Sequence, residues 1–224
     1  MKIGIVIAIE RELKAFLNSS YEVEECVDNK INYFKAKIGN NEVYAIRSGA
    51  GLVDAAMSTE YLISKHDVKI ILNFGVVGAL DPSLKVSDLF YVSKCLNYDF
   101  DTSNIDPIAK CQYYDMDDVF IPLDKHLIEL AKDIEPNLIE AIAASGDKFV
   151  IDKTEKEDRF ALGCNICEME IVAIARVCYL NDVKCLSIKC ISDTYDGDGS
   201  DFEKNVTASA DKAFRIIDKL IKEL

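Results

Sequence analysis

The feature that most constrains this chain is an alternation. Short, β-branched apolar runs are separated by stretches whose apolar residues recur at helical spacing. Residues 2–8 form a continuous apolar run that reads as a buried strand, and a polar helix follows from about Glu10. Residues 32–38 and 42–47 read as a hairpin across the turn Gly39-Asn40-Asn41. Gly49 and Gly51 open a helix that runs to about Lys65, with Val53, Met57 and Tyr61 on one face. Residues 70–74 are a short buried strand ending at Gly75, and residues 89–96 are another. Residues 97–118 are polar and acidic and read as a long functional loop. A helix over 123–134 and a strand over 138–144 follow. Residues 164–168 continue the core into an almost wholly apolar helix, 171–180. The last strand is 183–191, and the last helix, roughly 201–224, carries Phe202, Val206, Ala213, Ile217, Leu220 and Leu224 at helical spacing.

Strands alternating with helices predict an α/β protein. We expect one domain over residues 1–224, a central mixed, largely parallel sheet flanked by helices in three αβα layers. The 224 residues suffice for a substantial core, and there is no low-complexity linker or internal repeat. In such folds ligands bind beyond the carboxyl ends of the strands. That rule selects Glu12, Ser48, Asn73, Asp147, Glu168, Glu170, Ser192 and Asp193.

Charge narrows the partners. Against 39 acidic residues stand 26 basic ones, for a net charge of −13. Such a chain has little with which to neutralise a phosphate backbone, so nucleic acid is excluded as a partner. The same field repels anionic membranes and nucleotides, and favours a neutral or zwitterionic substrate. Glu10, Arg11 and Glu12 interrupt the apolar N-terminus, which reads as a strand and not as a signal peptide. No stretch approaches the roughly 18 apolar residues of a membrane span, and a cytoplasmic location is expected. Most of the eight cysteines lie in apolar segments, where a reduced thiol behaves as a small hydrophobe. The one C-x-x-C, Cys164 to Cys167, lacks the strand-to-helix context of a redox motif. The two histidines, His66 and His126, have no partner at metal-ligand spacing and are expected at the surface near helix ends. No metal or cofactor is expected.

Six short motifs occur in order: residues 1–12 (MKIGIVIAIERE), Ser48-Gly-Ala-Gly51, Asn73-Phe-Gly-Val-Val-Gly-Ala-Leu80, Ser145-Gly-Asp-Lys-Phe149, Glu168-Met-Glu170 and Ile191-Ser-Asp193. Each alone is weak. Together, the chain resembles along its whole length the methylthioadenosine/S-adenosylhomocysteine nucleosidases of the purine nucleoside and uridine phosphorylase superfamily. The resemblance implies hydrolysis of an N-glycosidic bond in an adenine nucleoside with a 5′-thioether.

By resemblance, Glu12 is the general base that activates water, Glu10 being the less suited neighbour. Asp193 is the acid that protonates adenine N7, which needs a raised pKa, and Ser192 supports the base edge. A carboxylate can accept from two vicinal hydroxyls, so Glu170 would hold the ribose 2′- and 3′-hydroxyls. Glu168 supports the ribosyl end and Met169 packs on the sugar. Phe149 stacks on adenine and the Val150 backbone meets the base edge. Ile9, Ala50, Val76, Lys189 and Phe202 complete the pocket, and Thr102 and Ile105 reach the 5′ pocket of the partner in a homodimer.

The chain also departs from the family. Lys189 stands where arginine is usual, and a point charge is not equivalent to a planar fork. Val76 replaces a frequent serine and Ala50 a bulkier aliphatic. A carboxylate after the first strand suits water and repels phosphate, with Arg47 the one cation in the second glycine motif. The alternatives are a phosphorolytic enzyme of the superfamily, a nucleosidase for futalosine or 5′-deoxyadenosine, and a non-catalytic nucleoside-binding module.

Overall fold

The computed structural model describes residues 1–224. Its elements, in chain order, are β1 (Lys2–Ile7), α1 (Glu10–Leu17), β2 (Val23–Asp28), β3 (Ile31–Ile38), β4 (Asn41–Arg47), α2 (Leu52–His66), β5 (Ile70–Ala79) and β6 (Leu89–Asn97). Then come β7 (Ile121–Pro122), α3 (Lys125–Ile134), β8 (Ile139–Ser145), α4 (Lys153–Ala161), β9 (Ile166–Glu168), α5 (Ile171–Asn181), β10 (Lys184–Asp193) and α6 (Ser200–Glu223).

All strands join one mixed sheet in the order β10-β6-β8-β9-β5-β1-β4-β3-β2, with β7 beside β6. β1 lies parallel between β4 and β5, which is why its sequence is apolar without alternation. β5 also runs parallel to β10, and β6 and β9 parallel to β8. The β2–β3–β4 meander is antiparallel. The β10–β5 pairing closes β5, β9, β8, β6 and β10 into a ring, leaving β1, β4, β3 and β2 as an open arm. Helices flank the sheet as two groups: α6 lies along β10 and β5 with α1 and α3 against it, while α2 and α5 pack together. The largest core cluster, 51 buried residues, spans sheet and helices.

β5 is longer than the sequence suggests. It does not stop at Gly75 but runs to Ala79, pairing with β1 through Asn73 and with β9 from Gly78. Asn73 is therefore a strand-interior residue. Its amide donates to the Val6 carbonyl at 3.0 Å and accepts from Ser187 Oγ at 2.7 Å. Between its two partners β5 is unpaired on that side over residues 74–77, and the sheet forks there.

One further reading is refined and one corrected. Helix α2 buries Ala55, Ser58, Thr59 and Leu62, whereas Val53 and Met57 are 76% and 43% exposed. The N-terminal part of the apolar stripe is thus exposed, while Tyr61 at its far end packs against the core. His126 is exposed at the start of α3, as expected. His66, the last residue of α2, is instead half-buried among tyrosines. It stacks on Tyr44 at 4.3 Å between ring centroids, with Tyr33 at 4.8 Å and Tyr61 edge-on at 5.5 Å. Burial pushes its pKa below the usual range. The sequence reading also omits β2 and α4. All eight cysteines are free thiols. No helix is long and apolar enough to cross a membrane.

Candidate active site

The site sits in the fork of the sheet. Glu12 is the third residue of α1, and its Oε2 accepts the Ile9 backbone N–H at 3.2 Å, so the carboxylate closes the helix N-terminus from inside. Its Oε1 accepts the Val76 N–H at 2.8 Å, one of the donors that the fork leaves without a strand partner. The side chain is 4% exposed. Burial raises its pKa, against the lowering effect of the Lys189 charge and the backbone donors.

Two glycines make room for the carboxylates. A Cβ on Gly75 would land on Glu12 Oε1. A Cβ on Gly78 would stand 2.7 Å from Asp193 Oδ2. The spacing in Gly75-Val-Val-Gly78 is therefore set by acids arriving from α1 and from β10. In the sequence Gly75 reads only as a strand end, and Gly78 has no role of its own.

Asp193 ends β10, 4% exposed. Its Oδ1 accepts from Ser192 Oγ at 2.8 Å. Asn205 of α6 donates to the Ser192 carbonyl at 3.1 Å, which fixes the strand end. Burial raises the Asp193 pKa, while the Ser192 hydroxyl and the charge of Lys156 lower it.

Glu168 closes β9 and is saturated with donors. It accepts from Ser145 Oγ, from the N–H groups of Glu170 and Ile171 at 3.1 and 2.8 Å, and from Lys189 Nζ at 3.3 Å. Ser145 Oγ in turn accepts the Val172 N–H at 3.1 Å. Glu168 thus organises the start of α5, a role visible only once its partners are known. Lys189 is buried and paired with Glu168. Burial alone would lower its pKa, but the charges of Glu168, Glu170 and Glu12 lift it above the usual value. It does not line the cavity, and stands behind these three carboxylates.

Glu170 is the N-cap residue of α5, and its Oε1 accepts the Gly51 N–H at 3.1 Å. Gly51 opens α2 with φ of +107°, a backbone that a side chain would strain. Asp147 Oδ1 accepts the next N–H, from Leu52, at 2.7 Å. Burial first, then the neighbouring Glu168 charge, push the Glu170 pKa up to about 8.

These groups surround a cavity of about 150 Å³. Glu12, Glu168, Glu170, Ser192 and Asp193 line it with Ile9, Ala50, Val76, Phe149, Met169 and Phe202. Phe149 is 43% exposed at its mouth and meets Phe202 edge-on at 5.4 Å. Arg11 holds Glu203 through two bonds of 2.6 and 2.9 Å and lies 5.2 Å from the Phe202 ring centroid. Val150 lines a small adjoining gap. Thr102 and Ile105 lie apart in the long loop, Ile105 being 81% exposed. Arg47 is exposed, lines a different cleft, and its Nε lies 3.5 Å from Glu10. No cluster of three His, Cys, Asp or Glu side chains is disposed to hold a metal ion.

Known proteins share this architecture. The family model described as the phosphorylase superfamily matches residues 2–222. An aminodeoxyfutalosine nucleosidase of Campylobacter jejuni is 29% identical over the full length of both chains. A 5′-methylthioadenosine/S-adenosylhomocysteine nucleosidase of Staphylococcus saprophyticus is 31% identical over 99% of this chain and all of its own. A crystal structure of the Helicobacter pylori nucleosidase of that name, complexed with an aminopyrrolopyrimidinyl-methyl pyrrolidinol, superposes with a TM-score of 0.94. It is 28% identical and covers 100% of this chain and 99% of its own. The chain belongs to the 5′-methylthioadenosine/S-adenosylhomocysteine nucleosidase family of the phosphorylase superfamily.

Proposed function

We propose that the protein hydrolyses the N-glycosidic bond of 5′-methylthioadenosine and S-adenosylhomocysteine, releasing adenine and the 5-thio-substituted ribose. The observation that carries this reading is Glu12. It is a buried carboxylate, held by two backbone donors, that shares one cavity with Asp193 and Glu170. The only lysine beside it is paired with Glu168, so a phosphate nucleophile would meet carboxylates without a free cation. Water carries no such penalty.

Water attacks C1′ as the bond to N9 breaks, and Glu12 takes the water proton. Asp193 gives its proton to N7, so adenine leaves neutral, and the two carboxyl groups re-equilibrate with solvent. Glu170 accepts from the 2′- and 3′-hydroxyls; these donors and the positive charge that develops on the ribosyl ring favour its ionised form, which opposes that charge. Met169 packs on the sugar, while Phe149 and the Val150 backbone hold the base. Stacking on an aromatic ring contributes about 1–3 kcal/mol per base.

Adenine release from methylthioadenosine, followed with and without phosphate, tests the reading. Turnover that needs phosphate would overturn it. The C. jejuni relative carries the name of aminodeoxyfutalosine, so that nucleoside belongs in the substrate panel beside S-adenosylhomocysteine and 5′-deoxyadenosine. Release of adenine from methylthioadenosine would place the protein in methionine salvage and purine nucleoside catabolism.

We further infer a homodimer in which Thr102 and Ile105 of one protomer close the 5′ end of the other's cavity. The exposed Ile105 and the exposed α2 stripe of Val53 and Met57, beside Gly51, support it. An active monomer in sedimentation at assay concentration would refute it. The eight free thiols suit the reducing cytoplasm.

A further inference from the structure

Helix α4 buries one residue, and it is a lysine. Lys156 is 2% exposed. Its Nζ donates to the carbonyls of Thr194 and Tyr195 at 3.1 and 2.8 Å, the two peptides that follow Asp193. The same helix face holds the segment twice more. Lys153 Nζ lies 2.6 Å from Asp196 Oδ1, and Tyr195 Oη donates to Glu157 at 3.2 Å. Lys153, Lys156 and Glu157 stand three and four residues apart, so one side of α4 straps residues 194–196. Lys156 and Asp193 border one gap of about 30 Å³, which Gly78, Phe149, Val150 and Cys167 also line.

We propose that Lys156 is a positioning residue for Asp193, fixing the chain that follows it and facing its carboxyl group with a positive charge. This rests on the reading of Asp193 as the acid that protonates the leaving adenine. When Asp193 gives its proton to N7, a buried carboxylate is left behind. The Lys156 ammonium is the cation placed to compensate it, so the lysine makes Asp193 a stronger acid. The other charged or titratable groups facing the pair are Glu168 and Cys167 of β9 and Lys148, which line the same gap, Asp201 of α6, and Lys153 and Asp196 at the rim of the strap. Asp201, an acid, works against Lys156, and Cys167 is a neutral thiol whose pKa burial pushes up to about 12.

Lys156→Gln keeps a donor for the two carbonyls but removes the charge, and Lys156→Met removes both. The readout is the limb of the kcat profile that falls as pH rises, where Asp193 loses its proton. Removing a nearby cation raises a carboxyl pKa, so this limb moves to higher pH by about one unit in both variants. In Lys156→Met the neutral-pH kcat also falls about tenfold, a modest loss for a misplaced acid. Lys156→Arg keeps the charge and leaves the limb in place. If Lys156→Met does not fold, Lys156→Gln alone decides. A limb that stays put in Lys156→Gln, with or without a rate loss, overturns the proposal and leaves the lysine structural. Asp193→Asn runs alongside: if it spares adenine release, the reading of Asp193 itself fails, which is a different outcome.

Discussion

Gly75→Ala separates the position of Glu12 from its chemistry. The backbone at Gly75 is ordinary strand paired with Lys189 of β10, so alanine meets no conformational penalty. The added methyl, however, lands on Glu12 Oε1, with the carboxyl carbon at 3.0 Å and Oε2 at 3.4 Å. Either the strand or the acid must move, and the strand is held by both β10 and the core. Displacing Glu12 breaks the 2.8 Å bond from the Val76 N–H and leaves a half-buried donor unpaired, at a stability cost below the about 1–3 kcal/mol of a fully buried one. A shift of about 1 Å in a catalytic group costs about 10²-fold in rate. That is about 2.7 kcal/mol of transition-state stabilisation at 1.36 kcal/mol per decade. Gly163→Ala is the control. Gly163 has φ of +85° and nothing within 4 Å of its would-be Cβ, so it should lose about 1 kcal/mol of stability from backbone strain and keep its rate. The assay is initial adenine release at saturating methylthioadenosine, with Tm measured on the same samples. A Gly75→Ala enzyme within about threefold of the parent kcat would refute the reasoning. So would an equal rate loss in Gly163→Ala.

Three further outcomes follow from the site. Glu12→Gln keeps the side chain's size and should lower kcat by roughly 10²-fold or more with substrate binding largely kept; near-normal turnover would move the base elsewhere. Asp193→Asn should cost roughly 10²–10⁴-fold on adenine release but less on a ribosyl substrate with an activated phenolic leaving group, and equal losses on both would make Asp193 structural. Burial, and then the Glu168 charge, push the Glu170 pKa up to about 8 in the fold against an ordinary value of 4.5. The fold therefore favours its protonated form. Its contribution to stability is complete below 4.5 and is lost as pH rises through about 8. Glu170→Gln should flatten the fall of Tm over that window, and an unchanged slope would contradict the assignment.

The polar residues that line the cavity were legible because strand ends and motifs mark them: Glu12, Glu168, Glu170, Ser192 and Asp193 all sit where apolar strands stop or helices start. Less legible was anything that required knowing a neighbour. Gly75 looks like a strand terminator, yet β5 continues past it in register with β10, and the glycine is there to make room for an incoming carboxylate. The Val53, Met57 and Tyr61 spacing defines a helix face but not which way it points, and burial goes to the smaller Ala55, Ser58 and Thr59. Helix α4 has no apolar stripe because it buries a lysine. Its one available signal was Asp152 followed three residues later by Glu155, whose N–H the Asp152 side chain does accept at 3.1 Å. The pairing of Lys189 with Glu168 spans 21 residues, and no local pattern encodes it.

The fork in β5 has a mechanical consequence. On one side of it lies a closed circuit of strands, in which each member is gripped by two neighbours and has no edge from which to fray. On the other lies an arm whose last strand, β2, pairs with β3 alone. Local opening starts at such free edges. A nucleoside seated in the fork would touch α1 and the α2 start from the arm side and β9, α5 and β10 from the ring side at once, acting as a rivet between a stiff part and a loose one. Occupancy should then slow amide exchange across β1, β4 and β3, far beyond the residues in contact, while the ring strands, already slow, change little.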